Sequence, residues 1–504
     1  MTFSDLVFAV LSGFLGAAAF PKIEWPFMAW IALIPLLAVL ARKGARKRWL
    51  AGWIAGTVYY GILLYWIPAV PSHYAGMPMT LSLGVYLLLI LVLGASWALF
   101  GLAFAFLHRR RPGAAFAAAP FLWVGIEYIL THVLTGFPWG LFGLSQYRNL
   151  PFIQISAVTG IYGVSFILVL FQGLFVYSMR TSRRLPFALG LILMALVHIG
   201  GFLSMGRVAP SDRSFSAAVV QGNVSSDVYW TQTGADKIMS LFEDHMALTR
   251  RASDQGAKLV IWPEFSVPLC FSCDDPLYRS FKDVLAQFVE ETGTTLVVGS
   301  NEASGPPEAK LYFNSSLCLN PGRPVTSYAK MHLVPFGEYT PYKKILGFVE
   351  KVSHAIGELT PGPGPTLHAF RDLKFGTPIC YELIFPDLVR RFTKAGANFL
   401  VTITNDGWYG RSSAPYQHFA NAVFRAVENR RFLLRAATTG ISGLVDPYGR
   451  ILARSEIGLQ TFLQGTVTPL SVLTFYARWG DVFSGTCLTI AALLLIVACF
   501  KRRT

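Results

Sequence analysis

Long apolar runs separated by short polar loops fill residues 1–203 and return at 483–500, while the stretch between them alternates short apolar runs with amphipathic ones. The long runs predict eight transmembrane helices, at 6–20, 28–41, 50–66, 81–107, 114–133, 158–177, 185–203 and 483–500. Several reach the roughly 20 residues that a bilayer requires, and the first two are short for it. Ala17-Ala18-Ala19 would suit a signal-peptide cleavage site, but no basic region precedes the first run, so it is predicted to be retained. From residue 214 the period changes. Strands are predicted at 215–224, 258–266, 294–302, 311–320, 375–382, 397–404 and 438–445, and helices at 235–252, 276–292, 384–395 and 416–437. That alternation predicts a layered α/β domain large enough for its own core, with the Gly/Pro-rich stretch 357–365 as a surface loop. The expected division is 1–203 membrane domain, 204–480 aqueous domain and 481–504 closing helix.

Composition agrees with a membrane part. The chain is 53% hydrophobic and only 14% charged, against roughly 25% charged in soluble domains. A net charge of +15 would suit nucleic acid, but its placement argues otherwise. Arg42, Lys43, Arg46, Lys47 and Arg48, then Arg109 to Arg111, Arg180, Arg183 and Arg184, and finally Lys501 to Arg503 all follow even-numbered spans. The short loops opposite carry only Lys22 and Arg148. Excess Lys and Arg marks the cytoplasmic side, so both termini are expected there and the aqueous domain on the far side. No span carries a row of charges, which argues against an ion-coupled transporter, and His198 reads as a satisfied polar residue. The aromatics of 136–147 read as an interfacial belt, with the wall of a lipid-access groove as the alternative.

Three stretches carry candidate chemistry. Lys374-Phe-Gly-Thr-Pro-Ile-Cys380-Tyr-Glu puts a thiol at a strand-to-helix turn, held from behind and open in front. Taken alone, a single cysteine is more often a small buried hydrophobe. Leu259-Val-Ile-Trp-Pro-Glu264 ends an apolar strand on a carboxylate, and Ser327-Tyr-Ala-Lys330 ends a shorter one on an amine. A carboxylate, a lysine and a thiol at strand ends are the parts of covalent acyl transfer. Cys270 and Cys273 form a lone CxxC, too few ligands for zinc, leaving a local disulfide or two free thiols. Cys318, Cys487 and Cys499 read as packing residues, and Glu428, Arg430 and Arg431 as an internal ion-pair set.

In these contexts the chain resembles the nitrilase superfamily, through Trp262-Pro-Glu264, through Lys330 ahead of His332-Leu-Val-Pro-Phe-Gly-Glu338, and through Cys380-Tyr-Glu382. With the membrane segments added, it resembles the membrane-embedded apolipoprotein N-acyltransferase branch. The resemblance implies an extracytoplasmic α-β-β-α sandwich with a Glu264–Lys330–Cys380 triad and no metal or other cofactor. It further implies supporting roles for Trp230, Glu338, Tyr381 and Glu382, and it likens 405–410 to the mobile loop beside the nitrilase site. The expected activity moves an acyl chain from phospholipid through a cysteine thioester to the α-amine of a diacylated lipoprotein. Such an enzyme would work as a monomer in a bacterial inner membrane. The alternative is a membrane-tethered amidase that uses water as acceptor.

Overall fold

The computed structural model describes all residues except 43–46, 225–234, 274–275, 307–308, 343–357 and 501–504. Trp230 and the basic residues Lys43, Arg46 and Lys501 to Arg503 therefore lie outside the described residues. The chain forms two compact units, one of Met1–Ala69, Pro78–Gly206 and Trp479–Thr504, the other of Val70–Met77 and Arg207–Arg478.

Among the described residues of the first unit, five helices are long and apolar enough to cross a membrane: Met79–Arg110, Pro112–His132, Ile161–Thr181, Arg184–Ser204 and Val482–Phe500. Phe3–Ala18 and Arg48–Leu63 are shorter, at 16 residues each. The run predicted at 28–41 is not one helix. It divides into a 3₁₀ turn, Pro26–Trp30, and a helix, Ile34–Leu40, each with a proline in its first turn. The break frees backbone donors, and buried side chains take them up. Leu33 N donates to Gln172 Oε1 (2.6 Å) and Leu36 N to Ser12 Oγ (2.8 Å). Helix Arg48–Leu63 lies close against Met79–Arg110 because Gly52 has no side chain; a Cβ there would stand 2.4 Å from the Trp97 carbonyl. Small residues let helices approach in this way where no hydrophobic force drives them together.

The aromatic stretch 136–147 is not an interfacial belt. Trp139, Leu141, Phe142 and Leu144 are buried within the unit. Gln146 Nε2 donates to Pro26 O (2.7 Å), and Phe142 N donates to the Glu127 carboxylate (2.7 Å). His198 lies stacked on Phe152, with Nδ1 on the Met194 carbonyl (2.8 Å). Cys499, expected to be a packing residue, is exposed.

The second unit holds two sheets, with strands numbered in chain order. One contains β1 (Phe215–Gln221), β2 (Leu259–Ile261), β3 (Val267–Cys270), β4 (Thr295–Ser304), β5 (Leu311–Leu319), β6 (Thr326–Ala329) and, at its far edge, β13 (Thr461–Val467). The other contains β7 (Leu367–Phe370), β8 (Leu373–Gly376), β9 (Phe399–Thr404), β10 (Leu433–Ala437), β11 (Gly443–Val445) and β12 (Ile451–Arg454), in that spatial order. In each sheet the central pairings are parallel and the outer ones antiparallel. The sheets face each other through rings such as Phe215 against Phe370 (4.5 Å) and Phe399 (5.2 Å). Amphipathic helices Ala235–Asp254 and Pro276–Thr292 cover the first sheet, burying Phe242, Phe281 and Phe288 on Val260, Trp262 and Val298. Helices Pro386–Lys394 and Ala414–Asn429 cover the second, completing four layers.

Several boundaries differ from the sequence reading. The helix predicted at 416–437 ends at Asn429, because Arg430 turns into the left-handed region (φ 50°), and its last apolar residues form β10. The helix predicted at 384–395 starts at Pro386, after a 3₁₀ turn at Cys380–Ile384. Glu428 pairs with Arg425 (2.7 Å). Arg431 instead donates to the carbonyls of Ala397 and Val472 (2.7 Å each). Cys270 and Cys273 are disulfide-bonded.

Candidate active site

Each of the three predicted residues lies just beyond a strand, where the backbone leaves the ladder and a side chain can turn into the space between sheets. Lys330 follows β6 directly, Glu264 stands three residues past β2, and Cys380 four past β8. Glu264 is tucked against Gly299 of β4; a Cβ on that glycine would fall 2.6 Å from the Glu264 Cα. Only the absence of a side chain at residue 299 lets the loop come this close.

The structure brings these residues together in a buried cluster. Lys330 Nζ lies 2.8 Å from Glu338 Oε1 and 3.5 Å from Glu264 Oε1. Lys330, Glu264, Glu338 and Cys380 are each exposed by 4% or less. Asn314, in the middle of β5, donates through Nδ2 to both carboxylates, at 2.7 Å to Glu264 and 3.0 Å to Glu338. The backbone completes the hold: Asn405 N donates to Glu264 Oε2 and Val334 N to Glu338 Oε2, both at 2.7 Å. Two carboxylates and one ammonium out of water leave a net negative charge, and the surrounding N–H donors point at it.

Glu382 performs a different task. Its Oε1 accepts from Met331 N (2.7 Å), His332 N (3.1 Å) and the Tyr328 hydroxyl (2.8 Å), while Oε2 accepts from Ile379 N (2.7 Å). Met331 follows Lys330 and Ile379 precedes Cys380, so one carboxylate fixes the spacing of two strand ends from different sheets. Burial raises it, to about 7, against the backbone donors that favour its charge. Tyr381 turns its ring to Phe385, and His332 packs at a tilt on the same ring, with centroids 4.0 Å apart.

Cys380 has a left-handed backbone (φ 51°), uncommon for any residue but glycine. Contrary to expectation its thiol is buried, and the following helix begins only at Pro386, so no long helix starts beside it. Burial raises the thiol above its ordinary range and the Glu264 charge adds to this, while Lys330 opposes both. At rest the sulfur therefore keeps its proton. Burial raises Glu264 too, with Glu338 adding and Lys330 and Asn314 opposing. For Lys330 burial works against the charge, but Glu338 and Glu264 outweigh it and raise the amine, which stays cationic. The cluster thus holds a thiol, a carboxylate poised above its usual range, and an ammonium fixed between that carboxylate and Glu338.

Sequence reasoning missed Asn314. Its signal was a polar residue at the centre of the apolar strand Leu311-Tyr-Phe-Asn-Ser-Ser-Leu-Cys-Leu319. Asp406, His418 and Arg435, a buried group behind Cys380, were also missed.

Two family models match the chain. Residues 12–174 match the apolipoprotein N-acyltransferase N-terminal domain, and 216–468 match carbon-nitrogen hydrolase. Among similar proteins, an apolipoprotein N-acyltransferase of Geobacter metallireducens is 38% identical over 99% of this chain and 96% of its own length. One of Chlorobaculum tepidum is 31% identical over 98% and 96%. Among solved structures, Saccharomyces cerevisiae Nit3 of the nitrilase superfamily matches 52% of this chain and 93% of its own, at 21% identity and a TM-score of 0.40, a likeness too loose to argue from.

Proposed function

The chain belongs to the apolipoprotein N-acyltransferase family, and from that premise we propose that Glu264, Lys330 and Cys380 move a fatty acyl chain from phospholipid to a lipoprotein amine. One observation carries the assignment of residues: the ammonium held between Glu338 and Glu264 in a buried cluster with the thiol. In the first half-reaction Glu264 takes the Cys380 proton as the sulfur attacks the ester carbonyl. The tetrahedral oxyanion forms against Lys330 and the Tyr381 N–H. Collapse breaks the ester C–O bond, and Glu264 returns the proton to the departing alcohol, leaving an acyl thioester and a lysophospholipid. In the second half the α-amine of an S-diacylglyceryl cysteine attacks the thioester and gives its proton to Glu264. The amide forms, and the thiolate leaves and recovers that proton.

The charge balance makes this feasible inside a protein. Beyond the Lys330–Glu338 pair the site carries one negative charge throughout, first on Glu264, then on sulfur, then on oxygen. Moving a charge within a dry, prearranged site costs far less than creating one there. Supporting roles fall to Glu338 on Lys330, to Glu382 and Tyr381 around Cys380, and to Trp230 on the substrate path.

The division at about 203 and 480 gives the reaction its setting, with all eight apolar segments crossing the inner membrane and the four-layer domain on its outer side. That domain is tethered at both ends to apolar helices, Arg184–Ser204 before it and Val482–Phe500 after it. Extracting an acyl chain into water costs about 0.8 kcal/mol per CH₂, and a tethered site avoids that cost. Both substrates are then lipids of the same surface.

The amidase alternative differs in its acceptor. Given phospholipid labelled in one acyl chain, the enzyme will transfer label to the amine of a diacylated lipopeptide. An N-acetylated lipopeptide will receive none. Free labelled fatty acid as the main product with either peptide would instead make water the acceptor.

A further inference from the structure

Behind Cys380 lies a buried polar group that takes no part in the chemistry above. His418, in helix Ala414–Asn429, points Nε2 at the Cys380 carbonyl (3.1 Å). Its Nδ1 stands 2.9 Å from Asp406 Oδ1 and 3.1 Å from Arg435 Nη2. Arg435, from β10, also donates to Asp406 Oδ2 (2.7 Å) and to the Ile441 carbonyl (3.1 Å). Thr404, closing β9, donates to Asp406 Oδ1 (3.0 Å). Asp406, His418, Arg435 and Thr404 are exposed by 1% or less.

We propose that His418, oriented by Asp406 and Arg435, is a positioning residue that holds the left-handed Cys380 turn through its carbonyl and so aims the sulfur at the ester. The proposal rests on the reading of Cys380 as nucleophile.

A side chain on a φ of 51° is held there by its surroundings, and the known holds lie on both sides of it. On the N-terminal side Glu382 grips Ile379 N. On the C-terminal side a carbonyl oxygen can only accept, so His418 must carry its hydrogen on Nε2. Both the neutral Nε2–H tautomer and the imidazolium do so. In the neutral form, which suits a ring that burial and Arg435 push below its usual range, Nδ1 accepts from Arg435 Nη2, and Asp406 steadies the ring through Arg435; the imidazolium instead donates from Nδ1 to Asp406 Oδ1. Either way the ring is fixed in turn, because Arg435 and Thr404 both bond Asp406, whose carboxyl is held ionised at about 2; burial opposes this, and Arg435 is first among the groups that outweigh it. A group that orients a nucleophile without touching substrate should act on the rate of bond formation and leave lipid binding alone.

The test separates the two ends of the ring. In His418→Gln the amide Nε2 can still donate to the Cys380 carbonyl. In His418→Asn the shorter amide reaches the Asp406 side and leaves that carbonyl without its donor. Single-turnover formation of acyl-enzyme from phospholipid should fall about 100-fold in H418N, with the lipid concentration for half-saturation unchanged. H418Q should recover at least about tenfold of that loss. Native-like acylation in H418N overturns the proposal, as does equal loss in both variants in step with a lowered melting temperature. If H418N does not fold, Asp406→Asn, which loosens the ring, should show the same rate-only loss, and unchanged acylation there contradicts the proposal. Cys380→Ala is run alongside. Acyl transfer surviving in C380A removes the nucleophile assignment, whereas a dead C380A with an unaffected H418N removes only the role of His418.

Discussion

Lys330→Met will abolish measurable acyl transfer, with an expected loss of about 10⁴-fold or more, and its stability will acquire a new dependence on pH. Two effects compound. Losing the charge that faces the oxyanion costs about 10²–10³ in rate. The second effect falls on Glu264. With the ammonium gone, Glu264 and Glu338 are left as buried carboxylates bonded to the same Asn314 amide, and at least one must take up a proton. A protonated Glu264 cannot serve as base, which costs a further 10²–10⁴ or so. The sign of the stability change follows from the same carboxylates. In the variant Glu264, already raised by burial and by Glu338, loses the Lys330 charge that opposed them, so its folded pKa stands further above the unfolded value of about 4.3, and stability is fully present below that pH and is lost as pH rises through the folded value. K330M should therefore melt at a higher temperature at pH 5 than at pH 8. The loss at the higher pH should be on the order of 3–5 kcal/mol, the usual penalty for stripping one partner from a buried pair. A melting curve indifferent to pH would mean that the cluster is not closed to water.

Glu264→Gln is the cleaner probe, because glutamine keeps the shape and the hydrogen bond from Asn405 N while removing the base. Transfer should fall by about 10²–10⁴. The pH profile should also change form. In the native enzyme Glu264 is raised by burial and by Glu338, so it holds its own proton below a pH somewhat above the ordinary carboxylate range. Activity must fall as pH drops through that value. In E264Q this acid limb disappears, and the residual rate climbs only as hydroxide removes the proton from the raised Cys380 thiol. Retention of the acid limb in E264Q would assign the base to another carboxylate, with Glu338 next in line.

Much of this site was legible in the sequence, for a physical reason. Glu264, Lys330 and Cys380 each stand in a short local context at the end of an apolar strand, and a strand end is where a side chain leaves the ladder. What pulls them together is not local. Asn314 sits within a strand of nine residues, and alternation alone does not tell whether a polar residue faces water or a buried carboxylate. Asp406, His418 and Arg435 come from a turn, a helix and a strand, and their contact depends on sheet order that no spacing reveals. Arg435 belongs to a stretch that continues the apolar spacing of helix Ala414–Asn429, and the helix ends on Arg430 with no glycine to mark it. In the membrane unit the break within 28–41 was written in Pro26 and Pro35, but its repair by Gln172 and Ser12 required the neighbouring helices. The burial of Trp139 needed them as well.

In the proposed reaction Cys380 becomes an acyl thioester as a single charge passes from Glu264 to the sulfur and on to the acyl carbonyl. The most direct test is intact-protein mass spectrometry after incubation with phospholipid and no acceptor. The protein should gain the mass of one fatty acyl group, lose it in hydroxylamine or on adding a diacylated lipopeptide, and show no gain at all as Cys380→Ala. An adduct that persists in C380A, or acyl transfer by a native enzyme that never carries the acyl group, would contradict the account.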